Sequence, residues 1–146
     1  VGVQPNVFHR WFVVKKDPML RCSSDAFEVT PREDHETNPG IFGRALATWV
    51  SEQLMRAGFN AGGVIAEDFG WCVQVKSPPY SLYVVCAGGA LAGQWQIFVF
   101  SESGLVERFL RKDRSADLVA DLYTTLRHCL ESSPVVYGLG EEPAAQ

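Results

Sequence analysis

The sequence predicts an α+β fold built as a two-layer sandwich, with an antiparallel sheet of four to six strands and two helices on one face, in the order β(β)-α-β-β-β-α. Three observations lead there. Two segments each carry a single apolar stripe at helical spacing. Between them lie three runs that alternate as strands do. The connections joining those runs are too short to hold a crossover helix, so neighbouring strands must run antiparallel. The expected organisation is one domain over 1–137, followed by a flexible acidic tail at 138–146.

Residues 7–15 form the first strand candidate, since Val7-Phe8-His9-Arg10-Trp11-Phe12-Val13-Val14 is rich in β-branched and aromatic side chains. Asp17-Pro18 reads as a turn, and 26–30 as a second, weaker strand stopped by Pro31. Residues 31–39 hold five charged or titratable side chains and no large apolar one, which predicts a solvated loop. Within it Glu33, Asp34, His35 and Glu36 form an acidic cluster, but without the alternate oxygen ligands and glycine turn of a cation loop. Asn38-Pro39 then has the form of an N-cap followed by proline at the first helical position. The helix is expected to run to about Ala57, with Gly58 just past its end. Phe42, Leu46, Trp49, Val50 and Ala57 share its apolar face, Leu54 lies at the margin, and Gln53 is the one polar residue inside the stripe.

Three strand runs follow. In the first, Trp71, Val73 and Val75 alternate with Cys72, Gln74 and Lys76, and 64–66 reads as an upstream piece of the same strand. A proline turn leads to 82–86, and a glycine-rich turn leads to 94–100. In that last run Trp95, Ile97 and Val99 share one face, while Gln94, Gln96, Phe98 and Phe100 share the other. Residues 105–110 are a further short strand candidate. Ser115 is read as the N-cap of the final helix, with Asp117 placed to favour its dipole. Leu118, Val119, Leu122, Leu126, Cys129 and Leu130 occupy an arc of roughly 120° on that helix. The wheel sends His128 to a different face from Cys129, so no His–Cys pair is expected.

Composition excludes several functions. A formal charge of −4 is a poor basis for non-specific nucleic-acid binding, and no apolar run approaches the roughly 18 residues that cross a bilayer. The first residues, Val1-Gly2-Val3-Gln4-Pro5, have no basic segment leading into an apolar one, so no signal peptide is read there. Cys22, Cys72, Cys86 and Cys129 have no zinc-ligand spacing and are expected to be reduced thiols of a cytoplasmic protein. A three-residue hairpin loop at Pro78, Pro79 and Tyr80 would set Cys72 opposite Cys86. No cofactor or metal motif is legible: there is no Gly-x-Ser-x-Gly and no GxxxxGK, and Asp68-Phe69-Gly70 stands without the other kinase motifs.

Two patches remain. Glu67-Asp68-Phe69-Gly70-Trp71 sets adjacent carboxylates beside aromatics, and Tyr83, Phe98, Phe100 and Tyr80 load the sheet face away from the helices. These features predict a non-enzymatic protein-binding domain. Its acidic-aromatic surface, formed by Glu67, Asp68, Trp71, Tyr83, Phe98 and Phe100, would meet a basic protein partner or a second copy of the chain. The alternative is a phosphate or small-ligand sensor or enzyme. Its anion would be held by Arg108, Arg111, Arg114 and Ser115 at the start of the last helix, with Glu67 or Asp68 as base.

Overall fold

The computed structural model describes residues 18–89, 91–102 and 115–142. Its elements are β1 (Met19–Ser23), a 3-10 helix (Glu33–His35), α1 (Arg44–Arg56), β2 (Ala61–Glu67), β3 (Gly70–Ser77), β4 (Tyr80–Gly88), β5 (Gln94–Glu102), α2 (Ser115–Ser132) and β6 (Tyr137–Glu142). The six strands form one antiparallel sheet in the order β2-β3-β4-β5-β1-β6. Helix α1 packs on β2, β3 and β4, and α2 packs on β5, β4 and β6. The α+β class and the antiparallel sheet are as the patterning predicts. No helix of the described residues is long and apolar enough to cross a membrane.

The core lies between the helices and one sheet face. Leu20, Trp71, Val73, Leu82, Val84, Trp95, Ile97 and Val99 enter it from the strands, and Leu46, Val50, Leu54, Leu122, Leu126 and Leu130 from the helices. The leucines of α2 are spaced four apart, so they stack on one side of the helix. The predicted face of β5 is the buried one.

Several elements differ from the expectation. The first strand among the described residues is Met19–Ser23, and 26–30 is not a strand; instead Phe27 is buried, with its ring 5.5 Å from Trp49 and 6.3 Å from Trp95. The candidates at 7–15 and 105–110 lie outside the described residues. The tail expected from Gly138 is replaced over 137–142 by β6, which pairs with β1. Backbone hydrogen bonds to a distant strand hold a segment that has little apolar content of its own.

The start of α1 moves as well. Asn38 does not cap it; the Asn38 N–H donates to the Asp68 carbonyl at 2.8 Å. The helix begins after Gly43, and the group that caps it is the Glu33 carboxylate. One of its oxygens accepts the Gly43 and Arg44 N–H groups at 2.7 and 2.9 Å, and the other accepts the Thr30 N–H and hydroxyl at 3.1 and 3.0 Å. Glu33 is only 3% exposed, so the expected solvated loop contains a buried acid. Burial by itself would raise its pKa. The bonds from Arg44, Gly43 and Thr30 outweigh burial and hold the carboxyl below its ordinary value of 4.5.

The β3–β4 hairpin corrects a register. Ser77 pairs with Tyr80, so the turn is the two residues Pro78-Pro79 rather than three. One residue less in the loop moves every pair by one. Trp71 stands opposite Cys86, and Cys72 opposite Val85. Cys72 and Cys86 therefore point to opposite faces, and all four cysteines are free. Burial pushes the Cys22 thiol up to about 11; burial, then the Glu67 carboxylate, pushes Cys72 up to about 12. These two thiols and the fully buried Cys86 should react with a disulfide reagent only after unfolding, and intact mass should not change on reduction. Rapid modification of all four in the native protein would contradict this packing.

Candidate functional site

The run from Glu67 to Gly70 forms the β2–β3 turn. Glu67 pairs with Gly70, which leaves Asp68 and Phe69 at the tip. The turn is tied down on two sides. Its Asp68 carbonyl holds the loop before α1, and Gly70 lies against the Cys86 carbonyl of β4 so closely that a Cβ there would come within 2.8 Å of the oxygen. Glu67, Asp68 and Phe69 are all half-buried rather than fully solvated.

Trp71 does not join them. Alternation turns it to the helix side, where it is 2% exposed with the Arg44 guanidinium 5.4 Å from its ring. A partner cannot reach it, and its place in the predicted surface is corrected. Tyr80 is corrected likewise, because it is buried on the helix side in line with Leu82 and Val84.

Tyr83, Phe98 and Phe100 do share the opposite face. The Tyr83 and Phe100 rings stack at 5.1 Å, and the Tyr83 hydroxyl donates to Glu102 at 3.2 Å while lying 3.4 Å from the Gln74 amide. Burial, then the Glu102 charge, raises the Tyr83 pKa above 10.0. The centre of this face is not bare, since Cys72 is 3% exposed and Val85 is 0% exposed. Ile65, at 46%, is exposed toward the β2 edge. The three aromatics are half-buried, so the broad open apolar face expected from the sequence is absent among the described residues.

A groove of about 550 Å³ opens instead at the end of the sheet, beside the Glu67–Gly70 turn. Arg21, Gln94 and Gln96 line it from β1 and β5, Gly138 and Gly140 from β6, and Phe69 from the turn. Its depth follows from missing side chains: a Cβ at Gly140 would meet nothing within 4 Å. Arg21 also approaches Glu142 at 3.6 Å, an exposed pair of little energetic weight. Gln96, Phe98 and Phe100 succeed one another on one face of β5, and of the three only Gln96 lines the groove among the described residues.

Among the described residues the groove is lined by no carboxylate and no imidazole. Its one thiol, Cys22, is protonated at neutral pH because burial holds its pKa near 11. Nor do any three His, Cys, Asp or Glu side chains of the described residues gather as metal ligands. Of the alternative anion site, Ser115 is buried at the start of α2, and Arg108, Arg111 and Arg114 lie outside the described residues. Sequence reasoning located Gln94, Gln96, Phe98 and Phe100 on the correct face but missed Gly138 and Gly140. The only signal for those was a pair of glycines at strand spacing in a segment read as a tail.

Comparison with family models, with curated proteins and with solved structures finds no match to this chain.

Proposed function

We propose that the chain is a non-enzymatic interaction domain whose groove receives an extended segment of a protein partner. The observation that carries this reading is the composition of the groove. It offers amides, glycine backbone and one guanidinium for hydrogen bonding, and the apolar Phe69 wall, but among the described residues no group able to exchange a proton near neutral pH. Such a lining suits recognition better than catalysis. Glu67 and Asp68 stand at the turn beside it, which favours a partner segment of basic and apolar character through complementary charge.

Peptides selected against the protein from a random extended-peptide library test the reading. Gly140→Trp is the informative variant, because this glycine has space beyond its Cα and a strand position tolerates tryptophan. The bulky ring fills the groove and should weaken selected peptides by about tenfold or more, a change of about 1.4 kcal/mol, with unchanged far-UV circular dichroism. If the selected peptides bind Gly140→Trp as tightly as the parent, or if none binds saturably, the groove is not the recognition site.

A further inference from the structure

On the other side of the molecule the two helices leave a second cavity. Trp49, Gln53 and Arg56 follow one another along one side of α1, and His128 and Cys129 face them from the end of α2. The cleft, bordered by residues 132–135, is open to solvent and has a volume of about 600 Å³, within the usual range for small-molecule sites. The helical wheel separates His128 from Cys129, yet both line this cleft, because a space between two helices takes in more than one direction of the wheel.

The cleft brings together three donor-bearing side chains, Arg56, Gln53 and His128. Among the described residues Arg56 has no ion pair, whereas Arg21 and Arg127 are each paired with glutamates. The Gln53 amide and the His128 ring also make no side-chain hydrogen bond among the described residues. An imidazole offers a ring N–H in either protonation state, so His128 can donate whether or not it is charged. No carboxylate lines the cleft among the described residues. The C-terminal ends of both helices face this region and together contribute about one negative charge, which the Arg56 charge offsets; the guanidinium adds directed N–H donors for a carboxylate, which a helix C-terminus does not. Trp49 supplies a flat apolar wall whose orientation is fixed by its contact with Phe27, and Pro134 and Val135 lie across from it on the α2 side.

We propose that this cleft binds an aromatic carboxylate. The ring lies against Trp49, and the carboxylate accepts from the Arg56 guanidinium, with Gln53 and His128 as further donors. The site is separate from the peptide groove and does not depend on it. Its charge requirement is what distinguishes it from a merely greasy cleft.

The test uses 2-naphthoate and its neutral counterpart 2-naphthamide as probes, followed by ¹H–¹⁵N spectra of the full chain. Naphthoate should give saturable shifts of the Trp49 indole N–H and the Gln53 side-chain amide. Naphthamide should bind at least about tenfold more weakly, because it lacks the charge-assisted bond. Arg56→Gln, an exposed position in the last turn of α1, should bring naphthoate down to the affinity of the amide. Equal binding of acid and amide to the parent protein would overturn the proposal without recourse to any variant. So would shifts confined to other residues, the absence of saturation, or an Arg56→Gln protein that binds naphthoate as the parent does.

Discussion

Glu33→Ala should lower the unfolding free energy by about 3 kcal/mol, seen as a fall in the urea midpoint with an unchanged slope. The size follows from what the carboxylate holds. It caps α1 from outside the helix, and loss of a side-chain cap costs about 1 kcal/mol. Removal also strands the buried Gly43 N–H, a further penalty of about 1–3 kcal/mol. The Thr30 contacts on the other oxygen are lost with it. Glu33→Gln should cost about half as much, since its amide oxygen can still accept while its NH₂ is left facing N–H donors. Asp34→Ala is the matched control. Among the described residues its carboxylate accepts only the exposed Gly40 N–H at 2.8 Å, and the expected loss is about 0.5 kcal/mol.

The pH dependence has a definite sign. In the folded chain burial raises the Glu33 pKa, the hydrogen bonds from Arg44, Gly43 and Thr30 lower it by more, and the net value lies below 4.5. A depressed folded pKa means that the stabilisation is complete above the unfolded value and fades as pH falls through the folded one. The stability difference between the parent protein and Glu33→Gln should therefore be constant around neutral pH and shrink on acidification below about pH 4.5. A difference that widened in acid would show that Glu33 is protonated in the fold, and would refute its assignment as an anionic cap.

The capping residue also shows where the sequence stops being informative. Asn38-Pro39 carries the local chemistry of a helix start, and a local rule can see nothing else. The donor groups at Gly43 and Arg44 are satisfied from ten residues upstream, through a chain reversal that the 3-10 turn creates. What depends on side-chain periodicity was legible: the Leu122, Leu126 and Leu130 stripe, the inward face of β5, and Gly58, with φ 97°, just past α1. What depends on non-local pairing was not. Strand β6 has little hydrophobic pattern of its own and is placed by its backbone pairing with β1. The β3–β4 register turned on one residue of loop length, and that one residue decides whether Cys72 and Cys86 share a face. The same division runs through the groove, whose side-chain half could be read from alternation and whose glycine half could not.

The second large effect concerns two glycines that press on a single carbonyl. Gly43 precedes α1 with φ 150°, and Gly70 opens β3 with φ 156°. A Cβ at Gly43 would stand 2.7 Å from the Cys86 oxygen, and one at Gly70 would stand 2.8 Å from it. Neither obstacle is a flexible side chain. The oxygen belongs to the middle of the sheet, so relief requires β4, α1 or the β2–β3 turn to move. Gly43→Ala and Gly70→Ala should each cost about 3 kcal/mol, the range of forced backbone strain combined with overpacking. Because one displacement of the Cys86 carbonyl relieves both clashes, the double variant should lose less than the sum of the singles. Gly63→Ala gives the baseline: it lies in β2 with nothing within 4 Å of its Cβ, and should change stability by less than about 0.5 kcal/mol. Urea unfolding of the four proteins separates the cases, and single variants as stable as Gly63→Ala would refute the close approach. The consequence reaches the groove. Gly70 holds the turn that carries Phe69, Glu67 and Asp68, so Gly70→Ala should weaken selected peptides under conditions where it is still folded. Gly43→Ala loosens the start of α1 and the segment before it, whose Gly40 and Ile41 also line the groove, so it should weaken selected peptides as well.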